Sequence, residues 1–237
     1  MTSGFAHKMA LNLRILDKAN SFTDWMYDEI KPYLKGNVFE VGSGQGTYSR
    51  KIINDFPKSR IVLSDIDENY VHRLNVLASK NVDVLNIDIS LREDFKKIKF
   101  PIDSFFALNV LEHIEDDVHA MNNVYDVLSP GGKFVVVVPA HKFLYNCIDK
   151  GIGHHRRYTR KDLLDKVSRT KFKVEKLFYF NFLSIFGWYL NGNILKREVI
   201  NESAVGLLNK LVPLLRLFEK YILRQGLGIS LVIVLEK

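Results

Sequence analysis

From residue 36 onward the chain alternates short apolar runs with stretches whose apolar positions recur at helical spacing. The runs are 37–42 (NVFEVG), 60–65 (RIVLSD), 82–88 (VDVLNID), 103–109 (DSFFALN) and 133–140 (KFVVVVPA). The first four end in polar residues or glycine. A helical stretch follows each run, with only a short, weak one after Asp88. Such alternation predicts βαβ units, hence a parallel sheet with helices on both faces. The nearly continuous apolar run at 133–140 is what a strand covered on both sides requires. Two further strands are expected at 171–180 and 227–237.

Ahead of the sheet, Phe22, Trp25, Met26, Ile30 and Tyr33 fall at helical spacing and predict a helix packed across one sheet edge. The interval between the last two strands is too long for a hairpin. Within it Leu207, Leu208, Leu211, Leu215, Phe218 and Ile222 form one apolar face, with Lys210, Arg216, Lys220 and Arg224 elsewhere. This predicts a basic amphipathic helix, interrupted or kinked near Pro213. The organisation expected is one domain: a helical region 1–35, a core 36–181, an insertion or lid 182–226, and a final strand 227–237.

With 237 residues, 47% of them hydrophobic, the chain can bury a proper core. A single cysteine, Cys147, excludes a disulfide scaffold and a cysteine metal cluster. Lys8, Arg14, Asp17 and Lys18 interrupt the first residues, so no secretory signal is expected there. No apolar run approaches the ~18 residues of a membrane span. The expected location is the cytoplasm, with peripheral membrane contact as an option. The net charge of +7 suits anionic partners, although the cations are spread along most of the chain.

Candidate chemistry begins at VFEVGSGQGTYSRKI, where Gly42, Gly44 and Gly46 occupy alternate positions. Glycine there permits a tight turn and close approach of a ligand to backbone beside a helix N-terminus. A dinucleotide G-x-G-x-x-G would need glycine at Thr47, and Glu40 lies two residues before the first glycine. Alone, the loop is equally a tight βα turn. Asp65 ends the second strand, where a carboxylate can accept from both hydroxyls of a ribose. Asp88 ends the third strand and Asn109 the fourth. Asp65 and Asp67 also suit capping of a helix beginning near Glu68. Polar ends in register on four strands exceed what capping needs, and the carboxyl edge is where open α/β sheets bind ligands.

The ordered set EVGSGQG, SDID, NID, LNVLEHI and LSPGGKFVVVVP resembles the successive motifs of class I S-adenosylmethionine-dependent methyltransferases, over roughly residues 20 to 140. The resemblance implies an α/β, Rossmann-like fold: a seven-stranded, mostly parallel sheet with an antiparallel last strand, helices on both faces, and here a helical insertion before that strand. It implies S-adenosylmethionine as cofactor and S-adenosylhomocysteine as product. Glu40, Gly42 and Gly44 would surround the methionyl part, and Asp65 would hold the ribose. Ile66 would flank the adenine, Asp88 would bind its amino group, Ile89 would be a further cofactor-binding residue, and Asn109 would lie by the sulfonium. The insertion departs from the family pattern, so the acceptor pocket lies beyond the resemblance.

Methyl transfer from a sulfonium is an in-line displacement, so positioning supplies much of the rate. A base is needed only for an acceptor of high pKa, and His113 and His141 are the candidates. His113 equally suits a bond to backbone within the LEHI turn. At GIGHHRRYTRKDLL (151–164), His154, Arg156, Arg157 and Tyr158 precede a helix start signalled by Thr159 and Asp162. They are either a solvated loop or an acceptor-side clamp, in which the arginines grip a phosphate or carboxylate. His154 and His155 with Asp149 nearby raise the question of a metal, but adjacent residues rarely point to one ion and no spaced ligand set accompanies them, so none is expected. The stretch PAHKFLYNCIDKGIGHHRRYTRKDLL also resembles a bacterial and archaeal subgroup of these methyltransferases, often linked with glycan or lipid pathways.

The expected function is O-methylation of a small-molecule, glycan or lipid-linked acceptor bearing an anionic group. Segment 204–224 would act as a lid or touch a membrane. Two other readings compete: a catalytically silent cofactor-binding adaptor working through 182–226, and a nucleic-acid methyltransferase. The latter is disfavoured because Val110-Leu111-Glu112 follows Asn109, where enzymes acting on base amines usually carry Pro-Pro-aromatic. The cations also form no stripe with aromatics.

Overall fold

The computed structural model describes residues 19–197 and 202–237, together with Leu11 and Val199. Lys8, Arg14, Asp17 and Lys18 lie outside the described residues, as does the side chain of Leu208.

All seven expected strands are present: β1 (Val38–Val41), β2 (Ile61–Asp65), β3 (Val82–Asn86), β4 (Ile102–Leu108), β5 (Leu128–Pro139), β6 (Lys173–Phe180) and β7 (Ser230–Glu236). They form one sheet in the order β3-β2-β1-β4-β5-β7-β6. β1 to β5 pair parallel, and β7 runs antiparallel to both of its neighbours, β5 and β6. The chain leaves β1 for β2 on one side and returns to β4 on the other. That reversal opens a crevice at the carboxyl ends of β1 and β4.

Alternation along β5 shows why its run is continuously apolar. Phe134, Val136 and Val138 join a core with Phe39, Val62, Phe105 and Ile233 on one face of the sheet. Val135 and Val137 join Val38, Leu63, Phe106 and Val232 on the other. Each such fully buried side chain contributes roughly 1.5–3 kcal/mol. The stripe on α1 (Asn20–Ile30) packs as expected: Trp25, Met26 and Ile30 are buried, with Trp25 4.5 Å from Phe180 of β6.

The insertion holds α7 (Ser184–Trp188), a π-helical turn Tyr189–Ile194, α8 (Glu202–Phe218) and a second π-helical turn Glu219–Leu223. Two expectations change. Pro213 lies inside α8, which continues through it. The face turned inward carries Val212, Leu215 and Glu219, whereas Leu207, Leu211, Phe218 and Ile222 are exposed. Tethers to α1 set this rotation: Arg216 pairs with Asp28 at 2.9 Å, and Phe22 N–H donates to Asn209 Oδ1 at 3.1 Å. Among the described residues no helix is long and apolar enough to cross a membrane.

Candidate active site

β1 delivers Glu40 to the crevice as a buried carboxylate that accepts the Ser49 hydroxyl. Burial pushes its pKa up to about 8, although the Ser49 and Ser43 hydroxyls oppose the shift. Gly42 and Gly44 follow at φ +70° and +52°, in the left-handed region that glycine adopts freely. At Gly42 the space is needed too, since a Cβ would meet Val110 Cγ2 at 2.6 Å. At Gly44 a Cβ would meet nothing within 4 Å.

The glycine loop is tied directly to Asp65. Gly44 N–H donates to Asp65 Oδ2 and Asp67 N–H to Oδ1, both at 2.9 Å. The carboxylate is thereby fixed, with lone pairs left on each oxygen for a ligand. Burial raises its pKa, and these backbone donors work against the rise. Asp67, not Asp65, caps helix α3 (Glu68–Leu74), accepting Asn69 N–H at 2.8 Å. The capping alternative for Asp65 therefore falls away.

Ile66, 65% exposed beside Asp65, offers an apolar surface on the edge. Asp88 Oδ1 accepts both the N–H and the hydroxyl of Ser90, at 2.8 and 2.7 Å, and leaves Oδ2 for a ligand. The Ile89 side chain is buried in the core and supports the loop from beneath. Asn123 holds that loop by donating to the Ile89 and Ser90 carbonyls at 3.0 and 3.1 Å.

Asn109 leaves β4 with φ +55°, and its N–H donates to Val137 O at 2.9 Å. His141 beyond β5 and Asn181 beyond β6 also have positive φ, 64° each. Such backbone is uncommon outside glycine and gathers at functional edges. Glycines at positive φ, two fixed carboxylates, a buried acid suited to an amino group and an exposed apolar side chain thus share one crevice. The set fits S-adenosylmethionine.

The acceptor side is built differently. A short parallel bridge joins Tyr158 to Ala140: Tyr158 N–H donates to Pro139 O at 2.8 Å and His141 N–H to Tyr158 O at 2.9 Å. Here the expected anion clamp needs correction. The Arg157 side chain is only 2% exposed; its Nε donates to both Asp149 oxygens at 2.8 and 3.0 Å, and its guanidinium lies 4.5 Å over the Trp188 ring. Arg156 Nη1 donates to Asp117 at 3.0 Å and Nη2 to Glu115 O at 2.9 Å. Tyr158 is buried with its hydroxyl on Asp117 at 2.7 Å, and Lys166 reaches the same carboxylate at 2.7 Å. His154 Nδ1 sits 2.8 Å from Asp149 Oδ1. Charges taken out of water need partners, and two buried aspartates supply them. Arg157, Tyr158 and His154 therefore form the inner frame of this loop. Outside it lies a shallow cavity of about 230 Å³, lined by Lys142, Tyr145, His155, Arg156 and Arg157. The predicted helix start is present: Thr159 and Asp162 cap α6 (Arg160–Val167) reciprocally.

Both candidate bases are anchored to backbone carbonyls. His113 Nδ1 lies 3.2 Å from Gly153 O, so Nδ1 carries the proton and Nε2 is free to accept. Burial, with the neighbouring His154, lowers its pKa to about 4. His141 Nε2 lies 2.9 Å from Gly228 O, and its ring stacks on Tyr179 of β6, 5.3 Å away. Burial lowers its pKa as well.

Three acids escaped the sequence reading, Glu112, Asp117 and Glu219, and Asp149 entered it only as a neighbour of His154 and His155. Glu219 is buried and accepts the N–H groups of Asn181 and Phe182 at 2.9 and 2.5 Å, which anchors the insertion to the end of β6. Asp117 reads as one more helix-start acid in EDD, although Asp116 is the residue that caps. Only the Asn146–Asp149 spacing, which forms a capping box, carried a local signal.

Comparisons with known proteins agree with this geometry. Residues 39–134 match a family model described as a methyltransferase domain. Malonyl-[acyl-carrier protein] O-methyltransferase 1 of Ilyobacter polytropus is 24% identical over 162 residues, covering 63% of this chain and 59% of that relative. The chain thus spans less than two thirds of the curated relative it matches. Among solved structures, an S-adenosylmethionine-dependent methyltransferase from Mesorhizobium loti superposes with a TM-score of 0.60 at 14% identity, covering 89% of this chain and 97% of that one. One from Archaeoglobus fulgidus gives 0.60 at 16% identity, covering 92% and 94%. The motif order, the topology and the match over residues 39–134 together place a methyltransferase domain in this chain, with the fold seen in S-adenosylmethionine-dependent methyltransferases.

Proposed function

We propose that this chain methylates oxygen on a small-molecule, glycan or lipid-linked acceptor bearing an anionic group, in the cytoplasm or at a membrane surface. The cofactor, when bound, supplies an electrophilic methyl on its sulfonium. The chain's part is placement: Asp65 and Asp88 orient one end, Glu40 and the glycine loop the other, and the Asn109 turn borders the reacting end.

The observation that carries the acceptor class is the cation-lined cavity beside residues 155–157. Its cations Lys142, Arg156 and Arg157 are paired with Asp162, Asp117 and Asp149, and Arg156 shares Asp117 with Lys166, so an acceptor anion would be met by the outer donors of these groups. An acceptor carboxylate is already nucleophilic and needs no strong base, which suits two histidines with lowered basicity. The Ilyobacter polytropus relative is named for O-methylation of malonyl-[acyl-carrier protein], whose acyl group ends in a carboxylate. Phe186, Leu214, Tyr221 and Ile222 on the insertion are each at least 58% exposed, an apolar surface suited to an acyl or polyprenyl chain.

The test is release of S-adenosylhomocysteine with a panel of acyl thioesters and lipid phosphates, each offered as the free acid and as its methyl ester. Turnover is expected with free acids and absent with esters. Turnover confined to amine acceptors or nucleic acid would overturn the reading.

A further inference from the structure

Methyl transfer leaves one buried cluster unused. Glu112 sits in the 3-10 turn Leu111–His113 that follows β4, fully buried, and neither carboxylate oxygen has a hydrogen-bond partner among the described residues. Its charged neighbours compensate it only in part, because Arg157 is committed to Asp149. An unpartnered buried carboxylate is among the costliest arrangements a fold can hold.

Two histidines close on it. His154 Nε2 lies 3.6 Å from Glu112 Oε1, and the His113 and His154 rings meet edge to face at 4.8 Å. One ligand atom from each of the three residues lies within 4.8 Å of the others. The far nitrogens are both spoken for: His113 Nδ1 faces Gly153 O at 3.2 Å, and His154 Nδ1 faces Asp149 at 2.8 Å. Those acceptors place the protons on Nδ1 and leave the Nε2 lone pair of each ring free for an ion. An imidazole oriented by an acceptor on its remote nitrogen is the arrangement found behind metal-ligating histidines.

We infer that Glu112, His113 and His154 hold a divalent ion of the zinc type. Two imidazole nitrogens and one carboxylate suit such an ion, and three protein ligands leave a fourth position for water. Ligand atoms around zinc stand about 3.3 Å apart, so closure asks for side-chain shifts on the order of 1 Å. The ion would join the turn after β4 to the 153–158 loop and place its positive charge where the structure leaves a negative one unmatched. The adjacent pair His154–His155 concealed this set, because the partners of His154 lie far back in the chain and His155 is exposed. The inference stands apart from the methyl-transfer reading.

The experiment uses chelator-stripped, full-length protein titrated with Zn²⁺ and Co²⁺, followed by calorimetry and by the visible ligand-field bands of Co²⁺. Expected are one ion per chain, four-coordinate Co²⁺ bands and a rise in Tm. Glu112→Gln and His113→Gln should each weaken binding at least tenfold, while His72→Gln, at an exposed position, leaves it unchanged. Glu112→Gln keeps the shape and removes the buried charge, so its metal-free Tm should equal or exceed the wild-type value. This separates lost binding from lost folding. Absence of stoichiometric uptake, or affinity indifferent to both cluster variants, would overturn the assignment.

Discussion

The two halves of the sheet's carboxyl edge are held by different forces. Around β1, β2 and β4 the ligand-facing groups are set by backbone: positive-φ glycines, N–H groups donated to Asp65, and the Asn109 turn hung from Val137 O. Beyond β5 they are set by side-chain charge, with Asp117 gathering Arg156, Lys166 and Tyr158, and Asp149 gathering Arg157 and His154. A backbone cradle leaves its polar atoms open to a ligand. An ion-pair frame consumes them and leaves only its outer rim available.

That contrast can be broken most forcefully at Asp149. Burial raises the pKa of its carboxyl, but the His154 hydrogen bond and the Arg157 charge outweigh burial, and the net shift is downward. Asp149→Ala strands the buried Arg157 and should cost about 3–5 kcal/mol in denaturant unfolding. A loss under about 1 kcal/mol would mean that the frame does not hold the loop.

Glu40 provides the next test, through pH. Its folded pKa of about 8 exceeds the ordinary value of 4.5, so the folded protein keeps a proton that the unfolded chain releases. The stability tied to this proton is therefore greatest in acid and falls as pH rises from about 4.5 to about 8. Tm should drop more steeply across that window in wild type than in Glu40→Gln. Parallel profiles would contradict the burial argument. Pairing the carboxylate with a cationic amino group would also release the proton, so cofactor affinity should tighten as pH approaches 8.

Arg156 marks the small end of the scale. Its side chain is 24% exposed, and Asp117 keeps Lys166 and Tyr158 without it. Arg156→Ala should cost about 1 kcal/mol in the same unfolding assay. A loss equal to that of Asp149→Ala would show the two aspartates to be one inseparable unit.

Legibility followed the same divide. The seven strands and the positions of Glu40, Gly42, Gly44, Asp65 and Asn109 were readable, because glycine conformations and strand ends are local properties written at fixed spacing. Asp65 and Gly44 are 21 residues apart, yet consecutive strands bring them together. Arg157 as a free clamp was misread, since its surroundings depend on burial. Asp117 lies 41 residues from Tyr158, and its motif reads as a helix cap. The inward face of α8 was misjudged for a related reason. Its apolar residues surround most of the helix, and only the tethers at Asn209 and Arg216 decide which ones turn inward.

The most direct test of the account is calorimetric titration of S-adenosylhomocysteine into wild type and Asp65→Ala. Wild type should bind one equivalent, and the variant should lose about 1–3 kcal/mol while keeping its Tm within a few degrees. No binding by wild type, or equal affinity in the two proteins, would contradict the assignment of this crevice to the cofactor.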